Sequence, residues 1–243
     1  MQKFFFTPDS LCDGVITLTG ENAHHISYSL RMAVGDRIVL CDGEGNDRFC
    51  TITKMTGDSV VCTVDEKMPS QTEPPYKAVL YQSVVKGEKM DYIVQKAVEL
   101  GVSEIVPVES ARCIVKLNGE SREKKRARWQ KISLEAAKQC GRGIIPKVSA
   151  PISFAQAVEK ASQNSSRAFI CYENEEGKTI ADFPRGEEYI FFVGPEGGFD
   201  DNEILLCRQN GIESVSLGKR ILRAESASGF VLSCLSYREE LLK

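Results

Sequence analysis

The chain has 243 residues, 42% of them hydrophobic and 27% charged, with a formal net charge of −3. That length allows one large domain or two unequal ones, and the composition is that of an ordinary globular protein. No stretch approaches the ~18 apolar residues of a membrane helix. The start, Met1-Gln2-Lys3-Phe4-Phe5-Phe6, has too short an apolar run for a secretion signal, so a cytoplasmic protein is expected. Nine cysteines, none closer than nine residues to the next, leave no zinc spacing and read as reduced thiols. The two histidines, His24 and His25, are adjacent and point to neither a metal site nor a Ser-His-Asp triad.

In chain order, the first stretch reads as short strands separated by turns. Strands at 37–41 and 49–53 flank Asp42-Gly43-Glu44-Gly45-Asn46, and Thr56-Gly57-Asp58 precedes a strand at 59–64. One helical stretch, 21–31, interrupts them. A small β-barrel over 1–70 is expected. Residues 69–75 carry three prolines without apolar periodicity and read as a linker.

From 71 to 243 the pattern alternates. A strand at 78–83 leads to a helix over 88–100, with Met90, Ile93, Val94, Ala97 and Val98 on one face and Gly101 closing it. A strand at 104–108 and helices at 121–140 and 153–161 follow, then strands at 168–172 and 189–193. Asp200 and Glu203 form a capping box for a helix at 201–209, before a strand at 214–217 and a last helix at 224–242. Such alternation predicts an α/β domain with a parallel sheet covered by helices.

Charge is segregated. Between Arg112 and Lys147 there are eleven Lys and Arg against three Glu, a net +8, which leaves −11 for the rest. Such a block is either the footprint of a phosphate backbone or a solvated helix face. It contains Trp129, the only tryptophan, which tilts the reading toward a working surface.

Two glycine-bearing loops each follow a short apolar run. Gly194-Pro195-Glu196-Gly197-Gly198-Phe199 matches neither a dinucleotide fingerprint nor a Walker loop, which disfavours NAD and ATP. Alone it is equally a tight turn or a loop whose backbone approaches a ligand. The second, Leu217-Gly218-Lys219-Arg220-Ile221-Leu222-Arg223-Ala224-Glu225-Ser226-Ala227, breaks the tie. Leu217, Ile221 and Leu222 suit a flat ring whose edge is read by main-chain groups. Two such loops at the ends of neighbouring strands make a cleft, the usual ligand site of an open α/β sheet.

Gly-Pro-Glu-Gly-Gly-Phe followed by Leu-Gly-x-Arg-Ile-Leu-Arg-x-Glu-Ser-Ala resembles the RsmE family of SPOUT-class RNA methyltransferases. His25-Ile26 through Leu30-Arg31, Gly35-Asp36, Lys86, Gln95-Lys96-Ala97, Arg128-Trp129, Glu135-Ala136-Ala137 and Arg142 agree with it. The one small departure is Ser226, where threonine is commoner.

The resemblance implies a PUA-like RNA-binding barrel over 1–70 and a SPOUT α/β domain with a deep trefoil knot over 71–243. It implies transfer of methyl from S-adenosylmethionine to N3 of one uridine near the decoding region of small-subunit ribosomal RNA, by a homodimer that needs no metal. The cofactor would be held by Tyr172, Glu173, Gly194, Pro195, Glu196, Gly197, Gly198, Leu217, Gly218, Ile221, Leu222 and Ala227. Arg223, Glu225 and Glu196 are the candidate catalytic residues. His25, Arg31, Lys86, Arg112, Lys116, Arg128 and Arg142 are the candidate RNA contacts. Ala224, Ala227, Ser228, Gly229, Phe230, Val231 and Leu235 suit the dimer interface. A related knotted methyltransferase for another RNA and a non-catalytic RNA-binding assembly factor are the alternatives.

Overall fold

A computed structural model describes residues 1–163 and 167–242. The chain divides into two units, Met1–Glu73 with Ala137–Ile145, and Pro74–Ala136 with Pro146–Lys243.

The first unit is a six-stranded sheet, ordered β1 (Lys3–Phe5), β4 (Arg37–Cys41), β5 (Asn46–Met55), β6 (Ser59–Pro69), β3 (Val15–Thr19), β2 (Leu11–Cys12). All pairs are antiparallel except β1 with β4. The inward residues of these strands, Ile16, Leu18, Ile38, Leu40, Ile52, Val60 and Cys62, meet Ala23 and Ile26 in one core. Those two come from α1 (Gly20–His24) and the wider helical turn His25–Ser29 that continues it. The expected helix at 21–31 therefore exists in two pieces. Arg31 ends it by adopting a left-handed φ of 53°.

Residues 69–75 are more constrained than a linker reading suggests. Ser70 N donates to Gly45 O, the Lys3 ammonium donates to Ser70 Oγ, and the Thr72 hydroxyl donates to Gly141 O. The Glu73 carboxylate accepts from the Gly143 and Ile144 N–H groups and from the Arg142 guanidinium. The bonds of Thr72 and Glu73 attach this stretch to 141–144, in the second piece of chain of this unit.

The second unit is a parallel sheet. Its order is β10 (Ile152–Ser153), β8 (Glu104–Glu109), β7 (Lys77–Ser83), β12 (Glu188–Val193), β11 (Arg167–Cys171), β13 (Glu213–Val215), with β9 (Lys147–Val148) also on β8. The central strands, such as β12 with Tyr-Ile-Phe-Phe-Val buried throughout, read as continuous apolar runs because helices cover both faces. Tyr81, Val106, Ile190 and Phe192 pack with α4 (Phe154–Gln163) and α5 (Asp201–Gln209). α6 (Ala224–Ser236) packs on β7, β12 and α2 (Lys89–Glu99). All five expected apolar positions of α2 are buried, and Gly101 closes the helix at φ 90°.

The long basic helix is α3 (Gly119–Cys140). Trp129 corrects an expectation: it is buried, with Ser133, Ala136 and Ala137, and is no part of a working surface. Beside it the Gln130 side chain donates to Pro146 O and accepts from Val148 N. The buried indole and these hydrogen bonds anchor the helix.

Candidate functional site

The site lies at the carboxyl ends of β11, β12 and β13, as expected for an open parallel sheet. A cleft of about 580 Å³ is lined by Tyr172 and Glu173 after β11, by 193–199 after β12, and by 216–225 with Ala227 around the start of α6. Its size is that of a small-molecule pocket. All twelve residues assigned to the cofactor by resemblance line it, as do Arg223, Glu225 and Glu196. The structure adds Lys89, the first residue of α2, and Ser216. Nothing in the sequence near Lys89 marks it as a neighbour of residues a hundred positions away.

The first loop is held by side chains around it. Gly198 N donates to Pro195 O, closing the turn, and Gly198 sits at φ 68°, where L side chains are disfavoured. A Cβ on Gly194 would meet Phe199 Cε2 at 3.3 Å, so the loop folds against its own phenylalanine. Arg112 donates to Gly197 O at 3.0 Å. The capping box expected of Asp200 and Glu203 is present, and the buried Glu203 carboxylate also accepts from Ala111 N.

Glu196 is occupied within this framework. Its Oε1 accepts from Lys86 N at 3.3 Å and from Lys89 Nζ at 3.2 Å. Burial pushes its pKa up, but hydrogen bonds from its own and the Lys86 N–H and from Lys89, with the Lys89 charge, hold it below the usual carboxylate range.

The second loop is held by backbone and one hydroxyl. Ser216 N donates to Lys178 O, and Gly218 N, at φ 106°, donates to Ser216 Oγ. No hydrogen bond between described residues involves 219–222. Ile221 is 87% exposed, so it does not enclose a ring in this conformation as expected of it. Leu217 and Leu222 are half-buried. Arg223 is the N-cap of α6 but does not cap through its side chain. Its guanidinium has no hydrogen-bond or ion-pair partner among the described residues. Glu225, in the first turn, has a buried Oε2 without a hydrogen-bond partner among the described residues. Burial pushes the Cys171 thiol up, so this lining residue is no nucleophile.

The candidate RNA contacts are scattered. His25, Arg31, Lys86 and Lys116 are exposed, and the His25 ring meets the edge of Phe4. Arg128 is exposed but pairs with Asp91 at 2.6 Å, and Arg112 is engaged with the first loop. Arg142 corrects the expectation outright: its side chain is 5% exposed and paired with Glu73, because a carboxylate from 70–73 lies within reach. Of the remaining basic block, Arg122, Lys124 and Arg126 pair with Glu109, Glu120 and Glu123.

The expected interface residues also divide. Ala224, Ala227, Ser228, Val231 and Leu235 are buried within the chain's own fold, and a Cβ on Gly229 would meet Leu100 at 3.7 Å. The small residues thus serve packing of α6 on α2. Phe230 and Tyr237 remain exposed on that helix and the turn after it, with Tyr92 exposed on α2.

Comparison with known proteins gives this geometry its context. Residues 72–236 match the model of an RNA methyltransferase domain, and 18–65 that of an RNA methyltransferase PUA domain. The chain is 36% identical to ribosomal RNA small subunit methyltransferase E of Bacillus subtilis, across 100% of this chain and 99% of that one. It is 38% identical to the protein of that name from Mesomycoplasma hyopneumoniae, over 75% of this chain and 79% of the other. Among solved structures, a ribosomal RNA small subunit methyltransferase E from Neisseria gonorrhoeae bound to S-adenosyl methionine matches with TM-score 0.86 and 31% identity, covering 98% of each chain. A putative methyltransferase from Legionella pneumophila, in complex with the same cofactor, matches with TM-score 0.84 and 31% identity over 97% of each. The chain belongs to the RNA methyltransferase family that includes ribosomal RNA small subunit methyltransferase E.

Proposed function

We propose that this chain transfers a methyl group from S-adenosylmethionine to N3 of one uridine near the decoding region of small-subunit ribosomal RNA. The observation that carries the reading is the cleft in which two glycine-bearing loops, Arg223 and Glu225 converge. The names and bound cofactor of the relatives agree with it.

The residues present fit the cofactor. The cleft combines apolar Val193, Phe199, Leu217 and Leu222 with main-chain groups of two glycine loops, as a nucleoside read by its edges requires. When bound, S-adenosylmethionine supplies an electrophilic methyl group. The chain's own task is then to hold the uridine in line with it, which by orientation alone removes much of the barrier. The uracil N3 carries a proton at neutral pH, so negative charge develops on the ring as it reacts. Arg223, at the mouth and without a partner among the described residues, stabilises that charge at the ring oxygens, and Glu225 or Glu196 removes the proton.

His25, Arg31, Lys86, Lys116 and Arg128 contact the RNA in this reading, with Arg128 exchanging Asp91 for phosphate. Arg112 acts on the first loop instead. The chain works in the cytoplasm as a homodimer through the face of Phe230, Tyr237 and Tyr92. Residues 71–243 form the knotted catalytic domain and 1–70 the PUA-like domain.

The test is methylation of small subunits that lack the modification, followed by digestion to nucleosides. The expected product is 3-methyluridine. A different methylated nucleoside would move the target, and none would reject the activity.

A further inference from the structure

Of the three carboxylates lining the cleft, Glu173 is exposed to water, and Glu196 and Glu225 stand in opposite circumstances. Glu196 is already committed: Lys86 N and Lys89 Nζ donate to it, and its carboxyl is held ionised as part of the scaffold tying the first loop to the start of α2. Proton uptake there would release that tie in mid-reaction. Glu225 lines the same cleft, yet its Oε2 is buried and no described donor reaches it. A buried carboxylate oxygen without a donor is costly, and a ligand donor that reaches it recovers the cost. Phosphate oxygens and ring carbonyls accept hydrogen bonds and cannot serve. The donors a ligand can bring are the cofactor's amino and hydroxyl groups and the uracil N3–H, of which only N3–H must give up a proton in the reaction. Arg223, without a partner among the described residues, is two residues away at the same helix start.

We propose that Glu225 is the general base, accepting the uridine N3–H through Oε2. This rests on the reading given under Proposed function. In the step, the N3 electron pair forms the new N–CH₃ bond while the S–CH₃ bond breaks and its electrons pass to sulfur. The N3 proton goes to Glu225 and is later lost to water. Glu196 is a positioning residue.

The experiment compares the full-length protein with Glu225→Gln and Glu225→Asp in single-turnover methylation of unmodified small subunits across pH, with S-adenosylmethionine titrations alongside. Glu225→Gln should slow transfer by about 10²-fold or more at neutral pH, the usual scale for a lost general base, and leave cofactor affinity within about threefold. The defect should shrink as pH rises toward the range where uracil N3–H ionises unaided, and Glu225→Asp should keep part of the rate. A Gln variant within threefold of wild type, a defect independent of pH, or a parallel loss of cofactor affinity would each overturn the assignment. Should the Gln variant not fold, the Asp variant's rate and pH profile against wild type decide by the same criteria. A wild type that makes no 3-methyluridine would instead remove the functional reading itself.

Discussion

Arg142 and Arg223 lie in motifs that look alike on paper, a glycine followed closely by arginine within a positively charged stretch. Arg142 is 5% exposed and its guanidinium is 2.6 Å from a Glu73 oxygen whose carboxylate also binds two backbone N–H groups. Among the described residues, Arg223 stands at the mouth of a cleft with no partner, beside a loop whose residues 219–222 make no hydrogen bonds. What separates them is the presence of a carboxylate within reach. An arginine whose charge is answered inside the fold supports structure, and one left unanswered at a cavity is available to a ligand.

The contrast can be broken by substitution. Arg142→Ala should destabilise the protein by about 3–5 kcal/mol, since it strips a buried pair of one member. A denaturant melt changed by less than about 1 kcal/mol would show that the pair is not structural. Arg223→Ala should leave the melt within about 0.5 kcal/mol of wild type. It should slow methyl transfer by about 10²–10³-fold, the scale of a lost oxyanion donor, with cofactor affinity nearly intact. Retained turnover would exclude the role.

Smaller effects sharpen the difference between the two loops. Gly218→Ala meets no neighbouring atom, but its φ of 106° imposes strain of about 1–3 kcal/mol, so S-adenosylmethionine affinity should fall by roughly tenfold. Gly197→Ala, at an ordinary φ with Arg112 Cβ at 3.4 Å, should change it by less than about threefold. If isothermal titration ranks them in reverse, crowding rather than backbone conformation governs the cleft. Lys89→Ala should cost less than about 1 kcal/mol, because the pair with Glu196 is partly exposed. The Glu196 carboxyl is held below its ordinary value, so its stabilising contribution is complete above the usual carboxylate range and lost as pH falls through the lowered value. Wild-type cofactor affinity should therefore keep its advantage over Lys89→Ala from about pH 7 to about pH 5, and an advantage vanishing within that window would contradict the tie.

Legibility in the sequence followed the range of each signal. The α2 face, the Asp200–Glu203 capping box and the apolar strands around Phe191 are local patterns, and all were readable. Strands β9 and β10 are two residues each, too short for any period to register. The cleft was readable because both loops carry glycine signatures at strand ends. Its unmarked neighbour Lys89 was not, since a long-range ion pair leaves no trace in spacing. Trp129 and Arg142 misled for a related reason: composition registers a basic block, while burial depends on which side of α3 faces inward and where Glu73 falls. The trefoil knot implied by the resemblance is a property of the whole chain path, which no local pattern encodes.

The most direct test of the central claim is isothermal titration of S-adenosylmethionine into the wild-type chain and into Gly218→Ala. The account predicts saturable binding to the wild type and roughly tenfold weaker binding to the variant. No binding to the wild type would contradict it, and leave the two loops as turns of an RNA-binding scaffold.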